Sequence, residues 1–95
     1  MNIAALRRHR QAIKAIAERH GVTELKVFGS TATGKAGPDS DLDVLVRLAP
    51  GRSLLDRAAF RAELQDCLGI DVDVAHPDTL HPLIRAQVLA EAQAL

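Results

Sequence analysis

GSTATGKAGPDSDLDV, residues Gly29 to Val44, sets a Gly-Ser pair upstream of three aspartates, Asp39, Asp41 and Asp43, crowded into five positions. Carboxylates that close repel one another, so the chain must either spread them into water or give them a cation. The residues that follow fix how they are displayed. DLDVLVRL (Asp41–Leu48) alternates as a strand, with Leu42, Val44, Val46 and Leu48 on one face and Asp41, Asp43, Leu45 and Arg47 on the other. Pro50-Gly51 ends it.

Working outward, ELKVFG (Glu24–Gly29) reads as a shorter strand, Leu25 and Val27 pointing one way and Lys26 and Phe28 the other. Before it, Asn2 is a natural N-cap, and Ile3, Leu6, Ile13, Ile16 and Ala17 recur at helical spacing until Gly21. That spacing predicts one amphipathic helix. Downstream, Ser53 with Asp56 resembles a capping box opening a helix through Leu68, closed by Gly69. Its expected buried stripe is Phe60, Leu64, Cys67 and Leu68. IDVDVA (Ile70–Ala75) repeats the alternation, with Asp71 and Asp73 on one side. After a His-Pro turn, a last helix runs from about Leu80–Pro82 to Ala92, carrying Leu80, Ile84 and Val88 as its core stripe. The order α-β-(short turn or helix)-β-α-β-α predicts one α/β (α+β) domain over residues 1–95. Its small mixed sheet, of three or slightly more strands, should carry helices on the apolar face.

Composition removes several functions. Apolar residues make up 47% and charged residues 25% of the chain, ordinary globular values. Twelve basic side chains cancel twelve acidic ones, so nothing drives general nucleic-acid binding. Trp and Tyr are absent and Phe28 and Phe60 are the only aromatics, which removes a base-stacking platform. A lone Cys67 cannot form an internal disulfide and suits a reducing compartment. The first twenty-one residues are charged throughout, unlike a signal peptide or a membrane span, so a cytoplasmic setting is expected. His9, His20, His76 and His81 read as solvated or capping residues rather than ligands, RRHR at 7–10 as an exposed helix face, and Arg85 as solvated.

The aspartates remain. Same-face neighbours in a strand lie roughly 6.5–7 Å apart, so Asp41 and Asp43 project together. If the third strand lies beside the second, Asp71 and Asp73 join them. A single D-x-D after a Pro-Asp-Ser turn also serves as a solvated strand start. A second one-sided D-x-D on another strand is harder to explain that way, because like charges facing across a sheet are destabilising. Hard carboxylate oxygens suit Mg²⁺ or Mn²⁺, and two such ions about 3.5–4 Å apart serve in-line phosphoryl or nucleotidyl transfer. Gly29-Ser30 is by itself an ordinary turn. Placed after a strand and before the aspartates, its backbone N–H groups and hydroxyl can also cradle a phosphate.

Taken together, GSTATG, SDLDV, VDVA and IRAQVLAEA, in that order, resemble the minimal nucleotidyltransferases of the DNA polymerase β-like superfamily. Their pattern runs G-S-x-A-R-G, then S-D-x-D, V-D-L-V and I-R-x-x-I-L-x-E-A. The resemblance implies the polymerase β palm-like fold and an Mg²⁺-dependent transfer of AMP from ATP, with two metal ions, Mg²⁺ or Mn²⁺. It implies triphosphate binding by Gly29 and Ser30, and metal binding and catalysis by Asp41, Asp43 and a third strand aspartate. Alignment on VDVA puts the third at Asp73, with Asp71 pointing the same way. Thr33 stands where the pattern has Arg, leaving Lys35 to supply a positive charge. The family also implies a partner, a helical HEPN-type toxin whose tyrosine accepts the AMP, with this chain as antitoxin. The alternative is an antitoxin that neutralises its partner by contact alone, which Thr33 and the lack of an acceptor-binding domain favour.

Overall fold

The computed structural model describes residues 1–37 and 41–95, so Asp39 and the turn at 38–40 lie outside the described residues. Asn2 caps the first helix, its side chain accepting a hydrogen bond from the Ala5 N–H at 2.8 Å. That helix, α1 (Ile3–Arg8), stops where His9 leaves helical geometry (φ −96°, ψ 11°), and α2 (Arg10–Arg19) begins. The one helix expected from periodicity is therefore two. The break falls in the exposed charged run at 7–10, where nothing apolar holds the chain to the sheet, while Leu6 and Ile13 on either side share one core.

Gly21, at φ +73°, turns the chain into β1 (Val22–Phe28). After the short α3 (Gly29–Thr33) the chain returns as β2 (Leu42–Leu48), antiparallel to β1 with Val27 opposite Val44 and Phe28 opposite Asp43. The Ser53–Asp56 capping box opens α4 (Leu54–Leu68), and Gly69 at φ +69° closes it. This crossover allows β3 (Val72–Ala75) to pair parallel to β2. A 3₁₀ turn (Pro77–Thr79), α5 (Pro82–Glu91) and β4 (Gln93–Ala94) complete the described fold. The sheet order is β3-β2-β1-β4, so β3 is an edge. Two residues show no alternation, which is why β4 escapes sequence reading.

Leu42, Val44 and Val46, each 1% exposed, form the centre of the core with Val27 and Val72. Phe60 and Leu64 from α4 close over them, and burying Phe60 fully contributes about 1.5–3 kcal/mol. Two expectations fail on the helices. Cys67 is exposed, because it lines the solvent side of the α2–α4 groove rather than following Phe60 and Leu64 inward. On α5 only Val88 is buried, while Ile84 is 47% exposed beside Leu83 and Leu89, because α5 packs against α3 and β1 instead of over the core. Among the described residues no helix is long and apolar enough to cross a membrane.

Candidate active site

Parallel pairing sets Asp43 of β2 directly opposite Asp73 of β3. Neighbouring strands lie about 4.8 Å apart, so the two carboxylates stand side by side, off the face that Leu42 and Val44 bury. Asp41, just before β2, follows the same parity. The half-buried Asp43 carboxyl is held above the ordinary carboxylate range, first by burial, then by the charge of Asp73, then by that of Asp41. The two options for the third carboxylate are placed differently. Asp73 is in register with Asp43 and acts on it. Asp71 lies just outside β3, exposed, with its carbonyl accepting from the Leu42 N–H at 3.0 Å.

Gly29 begins α3 at φ +70°, a left-handed conformation that a side chain resists. A Cβ there would overlap the Asp43 carboxylate, meeting its Cγ at 3.2 Å. Glycine therefore lets the Gly-Ser turn close onto the central aspartate, and Ser30 follows at the first turn of α3. Behind it, Ser30's carbonyl accepts from the Lys35 N–H at 2.8 Å, and the buried Thr31 hydroxyl donates to the Met1 carbonyl at 3.4 Å. Thr33 donates to the Gly29 carbonyl at 3.1 Å, so its hydroxyl is turned back onto the helix. Lys35 is exposed just beyond Gly34.

Among the described residues no three carboxylate, imidazole or thiol side chains are already gathered as a metal cage. The donor chemistry nevertheless fits a hard cation. Asp41, Asp43 and Asp73 offer only carboxylate oxygens, and the middle one is disfavoured as an anion by both neighbours. Three of the four histidines are engaged elsewhere. His20 pairs with Glu63 at 2.7 Å, and the His76 and His81 rings accept from the Asp78 and Leu83 N–H groups at 3.1 Å as helix caps. Arg85 is partly exposed and lies 3.5 Å from Asp78.

Sequence reading passes over Arg57, Arg61 and Gln65, whose four-residue spacing on α4 was the available signal. Arg61 Nε donates to the Val72 carbonyl at 2.7 Å, and Gln65 accepts from the Val72 N–H at 3.0 Å, which fastens the strand bearing Asp73. Beside them runs a groove of about 250 Å³ lined by Leu54, Arg57, Ala58, Arg61, Asp73 and Val74. A larger cavity of about 490 Å³, between α2, β1 and the last residues, contains none of the three carboxylates. Volume and charge disagree here, and the clustered charge marks the chemistry.

A mixed sheet with Gly-Ser closing one strand and in-register aspartates on the next two defines a nucleotidyltransferase. The chain belongs to the nucleotidyltransferase domain family, whose model matches residues 9–95. A Methanocaldococcus jannaschii protein, provisionally named a protein adenylyltransferase, is 39% identical over 92 residues, covering 97% of this chain and 96% of that one. Protein adenylyltransferase MntA of Thermococcus cleftensis is 40% identical over 78 residues, covering 82% and 79%. A solved structure of a provisionally assigned minimal nucleotidyltransferase superposes with TM-score 0.87 at 44% identity, over 100% of this chain and 97% of that one. A toxin–antitoxin complex with AMP-PNP shares the fold at TM-score 0.72 and 21% identity, over 87% of this chain and 68% of that one.

Proposed function

We propose that this enzyme transfers AMP from ATP to a hydroxyl, a tyrosine in the leading case, of a partner protein, and that it acts as the antitoxin of a module whose toxin is of the helical HEPN type. The observation that carries the proposal is the register of Asp43 with Asp73, with Asp41 beside them. Relatives named protein adenylyltransferase, and a fold neighbour crystallised with AMP-PNP in a toxin–antitoxin complex, support the donor and the class of acceptor. The chain has no tyrosine, so a tyrosyl acceptor lies on another protein. With its free Cys67 thiol the enzyme works in a reducing, cytoplasmic setting.

Asp41, Asp43 and Asp73 would hold Mg²⁺ or Mn²⁺, two ions in the full site, which when bound would supply charge neutralisation at the phosphates and a lowered pKa at the acceptor hydroxyl. Gly29 and Ser30 orient the triphosphate through backbone N–H groups and the Ser30 hydroxyl, and Lys35 lends positive charge. Asp73 takes the acceptor's hydroxyl proton. The acceptor oxygen then bonds to the α-phosphorus as the bond to the β-phosphate oxygen breaks, and pyrophosphate leaves in line. Positioning and neutralisation carry most of the acceleration. In a host lysate with Mg²⁺ and ATP labelled at the α-phosphate, wild type should label one polypeptide and Asp43→Asn none. Equal labelling by both forms would remove the carboxylates from the chemistry.

One observation favours the binding-only alternative: Thr33, in place of a cation, spends its hydroxyl on the Gly29 carbonyl. On that reading Asp43→Asn still neutralises the toxin.

A further inference from the structure

Resting on the reading of this enzyme as a protein-directed nucleotidyltransferase, we propose that the groove between α4 and the outer edge of β3 seats the acceptor. Its occupant is an extended segment of the partner protein bearing carboxylate side chains beside the hydroxyl to be modified, and Arg57 and Arg61 read those carboxylates.

Three observations converge. The first is the edge itself. Asp71's carbonyl bonds inward to Leu42, whereas Val72's N–H and carbonyl face outward and are taken by Gln65 and Arg61. The same alternation turns the N–H and carbonyl of Val74 outward, and Val74 lines the groove. An extended segment can therefore add a short pairing at Val74, as peptides do on open sheet edges.

The second is location. Asp73 lines the groove and stands opposite Asp43, so a hydroxyl seated there reaches the carboxylates. Gly29-Ser30 follows β1, on the far side of β2 from β3. Donor phosphates and acceptor thus approach the aspartates from opposite flanks.

The third is charge. Arg19, Arg47, Arg52 and Arg85 each face a carboxylate, whereas Arg7, Arg8 and Arg10 of the first two helices, away from this groove, do not. Among the described residues Arg57 and Arg61, one helical turn apart on the groove wall, pair with none. Two uncompensated guanidinium groups select carboxylates with directional hydrogen bonds. At the rim Leu54 is 72% exposed, an apolar surface against which an aromatic acceptor ring can lie.

The test uses the intact enzyme and two fluorescein-labelled heptapeptides with a central tyrosine, one flanked by glutamates and one by glutamines, followed by fluorescence anisotropy. The acidic peptide should bind at least about tenfold more tightly, and Arg57→Gln or Arg61→Gln should remove most of that preference while ATP affinity stays unchanged. Arg61→Gln also deletes the bond to Val72 and risks loosening β3. Arg57→Gln deletes no such bond and keeps the test interpretable. Equal binding of both peptides, a preference that survives both substitutions, an ATP affinity that falls with Arg57→Gln, or Arg57-dependent displacement of the acidic peptide by a single-stranded oligonucleotide would each overturn the assignment. Label transfer from ATP to a lysate protein alongside indifferent peptide binding would sink this inference and leave the adenylyltransferase reading standing. Arg57-dependent binding of the acidic peptide with no transfer to any acceptor would do the reverse.

Discussion

Replacing Asp43 with asparagine should stabilise the fold while destroying its chemistry. Asp43 and Asp73 are in register on adjacent strands, and at about 5 Å two unit charges repel by about 3 kcal/mol at an effective dielectric of about 20, or under 1 kcal/mol in water. Asp73 is exposed and Asp43 only half-buried, so the watery limit governs. About 0.5–1.5 kcal/mol of repulsion and desolvation should be relieved, which for a domain of this size raises Tm by about 4–8 °C per kcal/mol. The pH dependence gives a second check. Asp43's folded pKa is raised above its ordinary 3.8, so the folded state binds the extra proton and the wild type loses stability as pH rises from that value through the folded pKa. The advantage of Asp43→Asn should be full at pH 7 and vanish below about pH 3.8. Thermal melts without divalent cations, from pH 3 to 8 and at low and high salt, measure it. A variant less stable than wild type at pH 7, or an advantage indifferent to pH and salt, would refute the reasoning.

Gly29→Ala forces a Cβ into a left-handed backbone and against the Asp43 carboxylate. It should cost about 1–3 kcal/mol, read by denaturant melts, and abolish label transfer. Glu63→Gln should lower Tm at neutral pH, because Arg19 first and His20 next hold the Glu63 carboxyl below its ordinary 4.5 while joining α2 to α4. That pairing contributes above pH 4.5 and is lost as pH falls through the depressed folded pKa, so the two proteins' melts should converge in acid. Cys67→Ser should change stability by no more than about 0.5 kcal/mol, and native wild type should react promptly with a thiol reagent.

The central strand was legible because its burial largely alternates: Leu42, Val44 and Val46 are each 1% exposed, and on the opposite face Leu45 alone, at 4%, is buried. The helix signals were local chemistry, and Asn2, Ser53, Asp56 and Gly69 act in the fold as such residues act in isolation. Periodicity misled where it carries no tertiary information. It gives no warning of the turn at His9, and it cannot say whether Cys67 or Ile84 finds a neighbour to pack against. At the site, the order of Gly-Ser and the aspartates was readable. Between Asp71 and Asp73, which share a parity, the VDVA alignment favoured Asp73, the residue the structure sets opposite Asp43. Arg57 and Arg61 were missed. Exposed arginines at four-residue spacing are common on helices, and their meaning depends on the strand edge folded against them.

On the proposed mechanism Asp73, opposite the half-buried Asp43, is the third acting carboxylate, and the exposed Asp71 before β3 is not. The most direct measurement compares label transfer from α-labelled ATP by Asp73→Asn and by Asp71→Asn, each checked for an intact fold. Loss of transfer with Asp73→Asn, alongside near wild-type transfer with Asp71→Asn, is the result expected. Transfer that survives Asp73→Asn and fails with Asp71→Asn would contradict the account.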